Sequence, residues 1–340
     1  MSVLPHWKAL VQFASGVLVI AVLSAVVWTL RPRPVVPSGW QIIDTSGDVM
    51  ALAYYRGAVW AGGQNGLVRI DPASGAVLET VRIENRGFRF VAALLVAQDD
   101  ALWVGHSQGA SRFDGTTWET WDAGGGLPSN RVYALLQTRD GALWVGTERG
   151  LVRRRDEHVK VFTRNDGLAS DTVSVLFEDS RGVLWAGNGV TTEGGLSAWD
   201  GAAWRVYGTS DGLVHPMVNA ILEDREGVLW FGTGFAGRGG VSLYDGTQWT
   251  SLTREDGLAG DKVRSLFQDA AGAMWVGSEY DGVARATGQG WQVLDMRSGL
   301  SGMEVKSMLQ TPDGDLWIGT ERGITRISAV VLAAWENGAE

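Results

Sequence analysis

The 340-residue chain holds four histidines, His6, His106, His158 and His215, and no cysteine. Histidine exchanges protons near neutral pH, so acid–base or metal chemistry is sought first at these positions. No two of them are close in sequence. The absence of cysteine removes thiolate nucleophiles, thiolate metal sites, iron–sulfur clusters and disulfides together. Asp-Gly and Asp-x-x-Gly turns are frequent, but none has acidic residues at positions 1, 3 and 5 followed by Glu at 12, the pattern of a calcium loop. No nucleophile–base pair and no carboxylate pair is identifiable by spacing, so the sequence assigns no catalytic residue, no metal site and no cofactor. Any site must be assembled by the fold.

The elements that would assemble it come from a repeat. An apolar residue followed by Trp recurs at Trp60, Trp103, Trp144, Trp185, Trp230, Trp275 and Trp317, at spacings of 43, 41, 41, 45, 45 and 42. A period in the low forties, filled with short β runs and glycine turns, indicates four-stranded propeller blades. Helical repeats of that length would show 3.6-residue periodicity and few glycines, whereas this chain has 47 Gly. In the third unit RVYALLQT, ALWVGT, GLVRRR and HVKVFT read as strands A to D, and FDGTTW, WDGAAW and YDGTQW mark C–D hairpin turns in other units. The predicted fold is all-β, a seven-bladed propeller over residues 39–328. Its opening run GWQIID resembles the later D strand GWQVLD and is expected to supply the outer strand of the seventh blade. Val330–Trp335 is the competitor for that place.

The register shows where the units vary. From the Leu of each "GL" to the next repeat Trp the distance is always 17, whereas Trp to the following Leu runs from 24 to 28. Insertions therefore fall after strand B, the longest being GNGVTTEGG and GTGFAGRGG. The D–A and B–C loops of a propeller emerge on one face, so this rim is the expected binding surface. The D–A loops contribute Asn130, Asp171, His215, Asp261 and Glu304. The B–C loops contribute His106, Glu148, Arg149, Asn188, Glu193, Phe235, Arg238, Glu279, Tyr280 and Arg322. Aromatic faces beside carboxylates and amides suit a carbohydrate or a peptide ligand. The repeat tryptophans are expected to fill the wedges between blades.

The remaining sequence bears on location and partners. Residues 9–30 carry no charge and, as a helix, reach about 33 Å, enough to cross a hydrocarbon core of about 30 Å. That run is too long for a cleaved signal peptide and is expected to be a transmembrane anchor, with residues 1–8 as a short cytoplasmic tail. Residues 31–38, with Pro32, Pro34 and Pro37, form a stiff linker, and 329–340 a C-terminal tail. The expected location is the cell membrane, single-pass, with the propeller on the periplasmic or extracellular side. Beyond residue 38 there are 26 basic against 38 acidic residues, a poor surface for a phosphate backbone, which excludes nucleic acid as a partner.

The unit DGL-x-S-x-x-V-x-x-L-x-x-D-x-x-G-x-LW-x-GT-x-x-GL resembles the two-component regulator propeller repeat. Its clearest copies are 125–151, 166–188 and 256–278. The resemblance implies an extracytoplasmic sensor module of a membrane-bound regulator. This chain contains no recognisable kinase or cyclase segment, so the expected role is non-catalytic ligand or protein binding, with output through a signalling membrane protein supplied by another chain. The alternatives are a propeller enzyme, of the streptogramin-lyase or glycosidase type, and a structural scaffold of the envelope.

Overall fold

The computed structural model describes residues 36–83, 86–190 and 194–336. The expected anchor, its preceding tail, most of the linker, Glu193 and the last four residues lie outside them. Among the described residues no helix is long and apolar enough to cross a membrane.

Seven antiparallel four-stranded sheets follow one another along the chain. Blade 1 covers residues 51–80, blade 2 93–121, blade 3 132–162, blade 4 175–207, blade 5 218–252 and blade 6 263–294; blade 7 takes 305–327 together with 40–43. The first strand of each blade packs against the first strand of the next, and that of blade 7 returns to that of blade 1, so these strands ring a central axis. Trp40–Ile43 pairs with Gly323–Ile327, placing Trp40 opposite Ile327 and Ile43 opposite Ile324. The predicted closure by the N-terminal strand is therefore what the chain adopts. Both sheet edges that an open array would expose are removed by it.

The competing segment takes another form. Val330–Trp335 lies in a helix, Ala329–Glu336, whose composition of Ala, Val and Leu tolerates helix once the outer strand position is filled. Leu332 is buried, and Trp335 packs edge-on against Trp40 at 6.0 Å and lies tilted against Trp275 at 6.4 Å. A second element absent from the sequence reading is a short hairpin, Arg82–Ile83 with Arg86–Gly87, between blades 1 and 2.

Three features of the repeat explain its motifs. The Asp six residues before Trp is an internal tie: in blade 6, Asp269 Oδ1 accepts the backbone N–H groups of Ala271 and Ala273, and Oδ2 accepts the Trp275 indole N–H at 2.8 Å. Asp179–Trp185 and Asp224–Trp230 repeat the bond at 3.0 and 2.7 Å. The Gly two residues after Trp is a notch for the next blade. A Cβ on Gly105, Gly232, Gly277 or Gly319 would stand 2.6–2.8 Å from Cγ1 of Val132, Val263, Val305 or Val49. Those valines belong to a set of seven, with Val91, Val173 and Val218, each 3% exposed or less at the entry to the innermost strand. The third feature is an arginine on strand C directly opposite the Trp: the guanidinium carbons of Arg153, Arg285 and Arg326 lie 5.5–5.7 Å from the ring centres of Trp144, Trp275 and Trp317. The tryptophans fill the wedges between blades, as Trp185 does against Phe231 of blade 5 at 5.2 Å.

Candidate functional site

The rim is built by the D–A and B–C connections, and many of its polar residues serve the loops themselves. Asn130, Asp171 and Asp261 each use Oδ1 to accept the backbone N–H seven residues earlier, from Ala123, Arg164 and Arg254, at 2.7–2.8 Å. The bonds brace the short 3-10 turns Ala123–Gly125, Arg164–Asp166 and Arg254–Asp256. Asn188 is 1% exposed, and its amide donates to Ser170 Oγ while its oxygen accepts the Val190 N–H. Glu148 is exposed and lies 3.7 Å from Arg131 of the neighbouring loop; Arg149 is exposed beside it. Arg322 pairs with Glu321 at 3.4 Å.

The two rim histidines belong to different blades and do not form a pair. His106 is 3% exposed, its ring edge-on to Phe88 at 5.0 Å. Its Nδ1 accepts the Gln108 N–H and its Nε2 lies 2.8 Å from Ser111 Oγ, which fixes Nε2 as the protonated nitrogen of the neutral ring. Burial lowers its pKa from 6.5 to about 4, so it is neutral at physiological pH. His215 Nδ1 accepts the Met217 N–H at 3.1 Å; burial, then the nearby charge of Arg238, lowers its pKa as well. Among the described residues no three His, Asp or Glu side chains form a group suited to a metal ion.

Other candidates do converge. The insertion 232–240 is a lengthened hairpin rather than a loop: Leu229–Phe235 pairs with Arg238–Tyr244 through Phe235 opposite Arg238. Ala236 and Gly237, both at positive φ, make the two-residue turn that matches strand twist. The hairpin presents the Phe235 ring, 45% exposed, towards blade 6, where Tyr280 is 56% exposed. Between them Lys262 Nζ lies 5.5 Å from the Phe235 ring centre and 5.7 Å from that of Tyr280, while Lys262 itself is only 9% exposed. The two rings sheathe a cation.

That cation begins a chain of alternating charges. Lys262 pairs with Glu279 at 2.5 Å, Glu279 with Arg264 at 3.5 Å and Arg264 with Glu304 at 3.6 Å. Glu304 then meets Lys306 at 3.2 Å, and Lys306 meets Asp48 at 3.1 Å. The run crosses blades 6, 7 and 1 at the entry to their inner strands. For Glu279 burial acts to raise the pKa, but hydrogen bonds from Lys262 and Tyr280 and the charges of Arg264 and Lys262 outweigh it, leaving the carboxyl below its ordinary value. The same hydrogen bond to Glu279 raises the Tyr280 phenol. With three cations and three carboxylates the patch is balanced, so what it presents to solvent is ring faces and hydrogen-bonding edges rather than a net charge.

Sequence reading named Phe235, Tyr280, Glu279 and Glu304 but missed Lys262, Arg264, Lys306 and Asp48. Their signal was present: they flank the repeating Val as Lys-Val-Arg, Glu-Val-Lys and Asp-Val-Met, at 262–264, 304–306 and 48–50. In the other blades these flanking positions carry no comparable run of charges.

The described hollows lie elsewhere, towards the A–B turn end of the blades. One of about 300 Å³ sits between blades 4 and 5, and one of about 530 Å³ between blades 2 and 3, the latter lined by Trp103, Arg112, Glu119, Trp121 and Arg154 among others.

Comparison with known proteins agrees with this architecture. The family model described as two component regulator propeller matches residues 126–149, 212–235, 257–280 and 299–322, in blades 3, 5, 6 and 7. The segment 166–188, also read as a copy from the sequence, is not among them. No curated protein matches the chain. Among solved structures it is similar to BT3049 from B. thetaiotaomicron, described as the extracellular domain of a hybrid two component system, at 17% identity and a TM-score of 0.75. That match covers 88% of this chain and 42% of the other, so the chain spans less than half of that domain. It is also similar to virginiamycin B lyase from Staphylococcus aureus (15% identity, 84% and 98% covered, TM-score 0.62) and to YCF48 bound to D1 peptide (16%, 86% and 97%, 0.63). At such identities these likenesses establish the fold: the chain is a seven-bladed propeller, and four of its blades contain segments that match the two component regulator propeller model.

Proposed function

We propose that this propeller is a non-catalytic sensor module, anchored in the cell membrane by residues 9–30, exposed outside the cytoplasm, and signalling through a membrane protein encoded by another chain. The observation that carries the binding role is the Phe235–Lys262–Tyr280 arrangement, in which two exposed rings flank a nearly buried ammonium at the rim. Adjacent exposed aromatic faces rimmed by polar groups are the surface pattern of a binding site. The ligand chemistry that fits is an apolar or ring face with hydrogen-bonding edges, as in a saccharide or an extended peptide. The family match and the fold shared with an extracellular domain of a two component system support the sensor reading, and YCF48, described as bound to a peptide, is a propeller that takes one. For the lyase alternative, His106 offers no support, since both its ring nitrogens are engaged in the interior.

A thermal-shift screen of neutral oligosaccharides and short peptides, run on the chain and on a Phe235→Ala, Arg238→Ala, Tyr280→Ala variant, tests the site. A stabilising ligand should lose its shift in the triple variant, and a shift of the same size there removes the rim from the account. Protease treatment of intact spheroplasts should cleave the propeller; full protection would reverse the topology.

A further inference from the structure

The hollow between blades 4 and 5 originates in a gap in the repeat. Opposite the strand-B Trp, blades 1, 2, 3, 6 and 7 place Arg69, Arg112, Arg153, Arg285 and Arg326, and blade 5 places Leu243. Blade 4 places Ala198 opposite Trp185. The volume that a long side chain fills elsewhere is left as the hollow of about 300 Å³, lined by Arg181, Trp185, Asp200, Arg205, Tyr207 and Tyr244 among others.

Its lining divides into three chemical parts. Trp185, Tyr207 and Tyr244 form an aromatic floor, with ring centres 5.5–6.5 Å apart. Asp200 supplies a carboxylate: Oδ1 accepts the N–H groups of Ala202 and Ala203 at 2.8 and 2.9 Å, and Oδ2 has no hydrogen-bond partner among the described residues. Its pKa is lowered by those same backbone bonds, so it is an anion at neutral pH. Arg205 supplies a guanidinium, 4.5 Å from the Tyr207 ring centre, with no carboxylate partner among the described residues. Arg181 is different, being held by the buried Asp179 at 3.0 Å. One open anion and one open cation beside an aromatic floor complement a zwitterion carrying an apolar ring. A simple carboxylate would leave Asp200 unanswered, and a simple amine would leave Arg205 so.

We propose that this hollow binds a free α-amino acid with an aromatic side chain. The ring occupies the space of the missing arginine, the α-carboxylate meets Arg205 and the α-ammonium meets Asp200. The site is independent of the rim and lies at the other end of the blades.

Isothermal titration calorimetry of the full chain with L-phenylalanine tests it. Saturable binding is expected, with 3-phenylpropionate and phenethylamine, each lacking one charged group, at least about tenfold weaker. Ala198→Leu, which copies the residue of blade 5, should fill the hollow and weaken binding at least about tenfold while its thermal unfolding matches the parent; Arg205→Gln should weaken it without filling the hollow. The proposal is overturned by the absence of saturable heat up to about 10 mM L-phenylalanine, by unchanged affinity in Ala198→Leu, or by equal binding of the two single-charge compounds.

Discussion

Lys306 Nζ donates to Asp48 Oδ2 at 3.1 Å, joining residues 258 positions apart, and this bond ties the inner strand of blade 7 to that of blade 1. The Lys306 and Asp48 side chains are only 13% and 14% exposed, so removing one leaves the other poorly solvated and short of a partner. Lys306→Met should cost about 2 kcal/mol in urea unfolding, with an unchanged dependence on denaturant. A cost under about 0.5 kcal/mol would show that ring closure does not draw on the pair.

The Asp tie behind Trp185, Trp230 and Trp275 offers a sharper contrast. Asp269 is 2% exposed and accepts three N–H groups, including the Trp275 indole. Asp269→Ala strands all three and should cost about 3 kcal/mol, whereas Asp269→Asn keeps one acceptor oxygen and should cost clearly less. Chemical denaturation followed by tryptophan fluorescence reads both, and equal losses would refute the hydrogen-bond account.

Gly232 tests the packing between blades. A Cβ there would lie 2.6 Å from Val263 Cγ1, so Gly232→Ala overpacks a wholly buried contact and should cost about 2 kcal/mol. Val263→Ala makes room and should recover part of that loss in the double variant. Simple additivity of the two losses would deny the notch its role.

His106 makes stability depend on pH. Unfolded, the imidazole takes a proton near 6.5; folded, burial delays this to about 4. The unfolded chain therefore gains the proton first, so the contribution is complete above pH 6.5 and is lost progressively as the pH falls towards 4. Its full size is about 3 kcal/mol. Denaturant unfolding across that window should show a shallower decline in His106→Gln than in the parent, and parallel declines would assign the loss to other groups.

The architecture was legible because its signals are local and repeated. Trp spacing, Asp-Gly turns and the likeness of GWQIID to GWQVLD each needed only the order of residues. The rim was harder to read. Asn130, Asp171 and Asp261 look like ligand donors in sequence, yet a backbone N–H seven residues earlier occupies each of them. His106 stands at the end of a strand that should lead outward, but Phe88, from the connection before its blade, covers it. Lys262 and Lys306 escaped notice for the converse reason. Lys262 takes the Phe235 ring, and Lys306 the Asp48 carboxylate, from a neighbouring blade, and a pairing of residues 48 and 306 has no trace in local pattern. The helix Ala329–Glu336 was read as a candidate strand because its alanines and valines serve either state, and the prior occupation of the outer position decides between them.

The strand Trp40–Ile43 pairs only with Gly323–Ile327. At a synthesis rate of roughly 5–20 residues per second, it waits about 15–60 s for that partner to be made. By the end of this interval six blades are made around an unsealed seam, with one loose β segment at the near end. A ribosome stall before blade 7 is complete would leave a gapped ring with an unpaired strand edge instead of a slightly shorter protein.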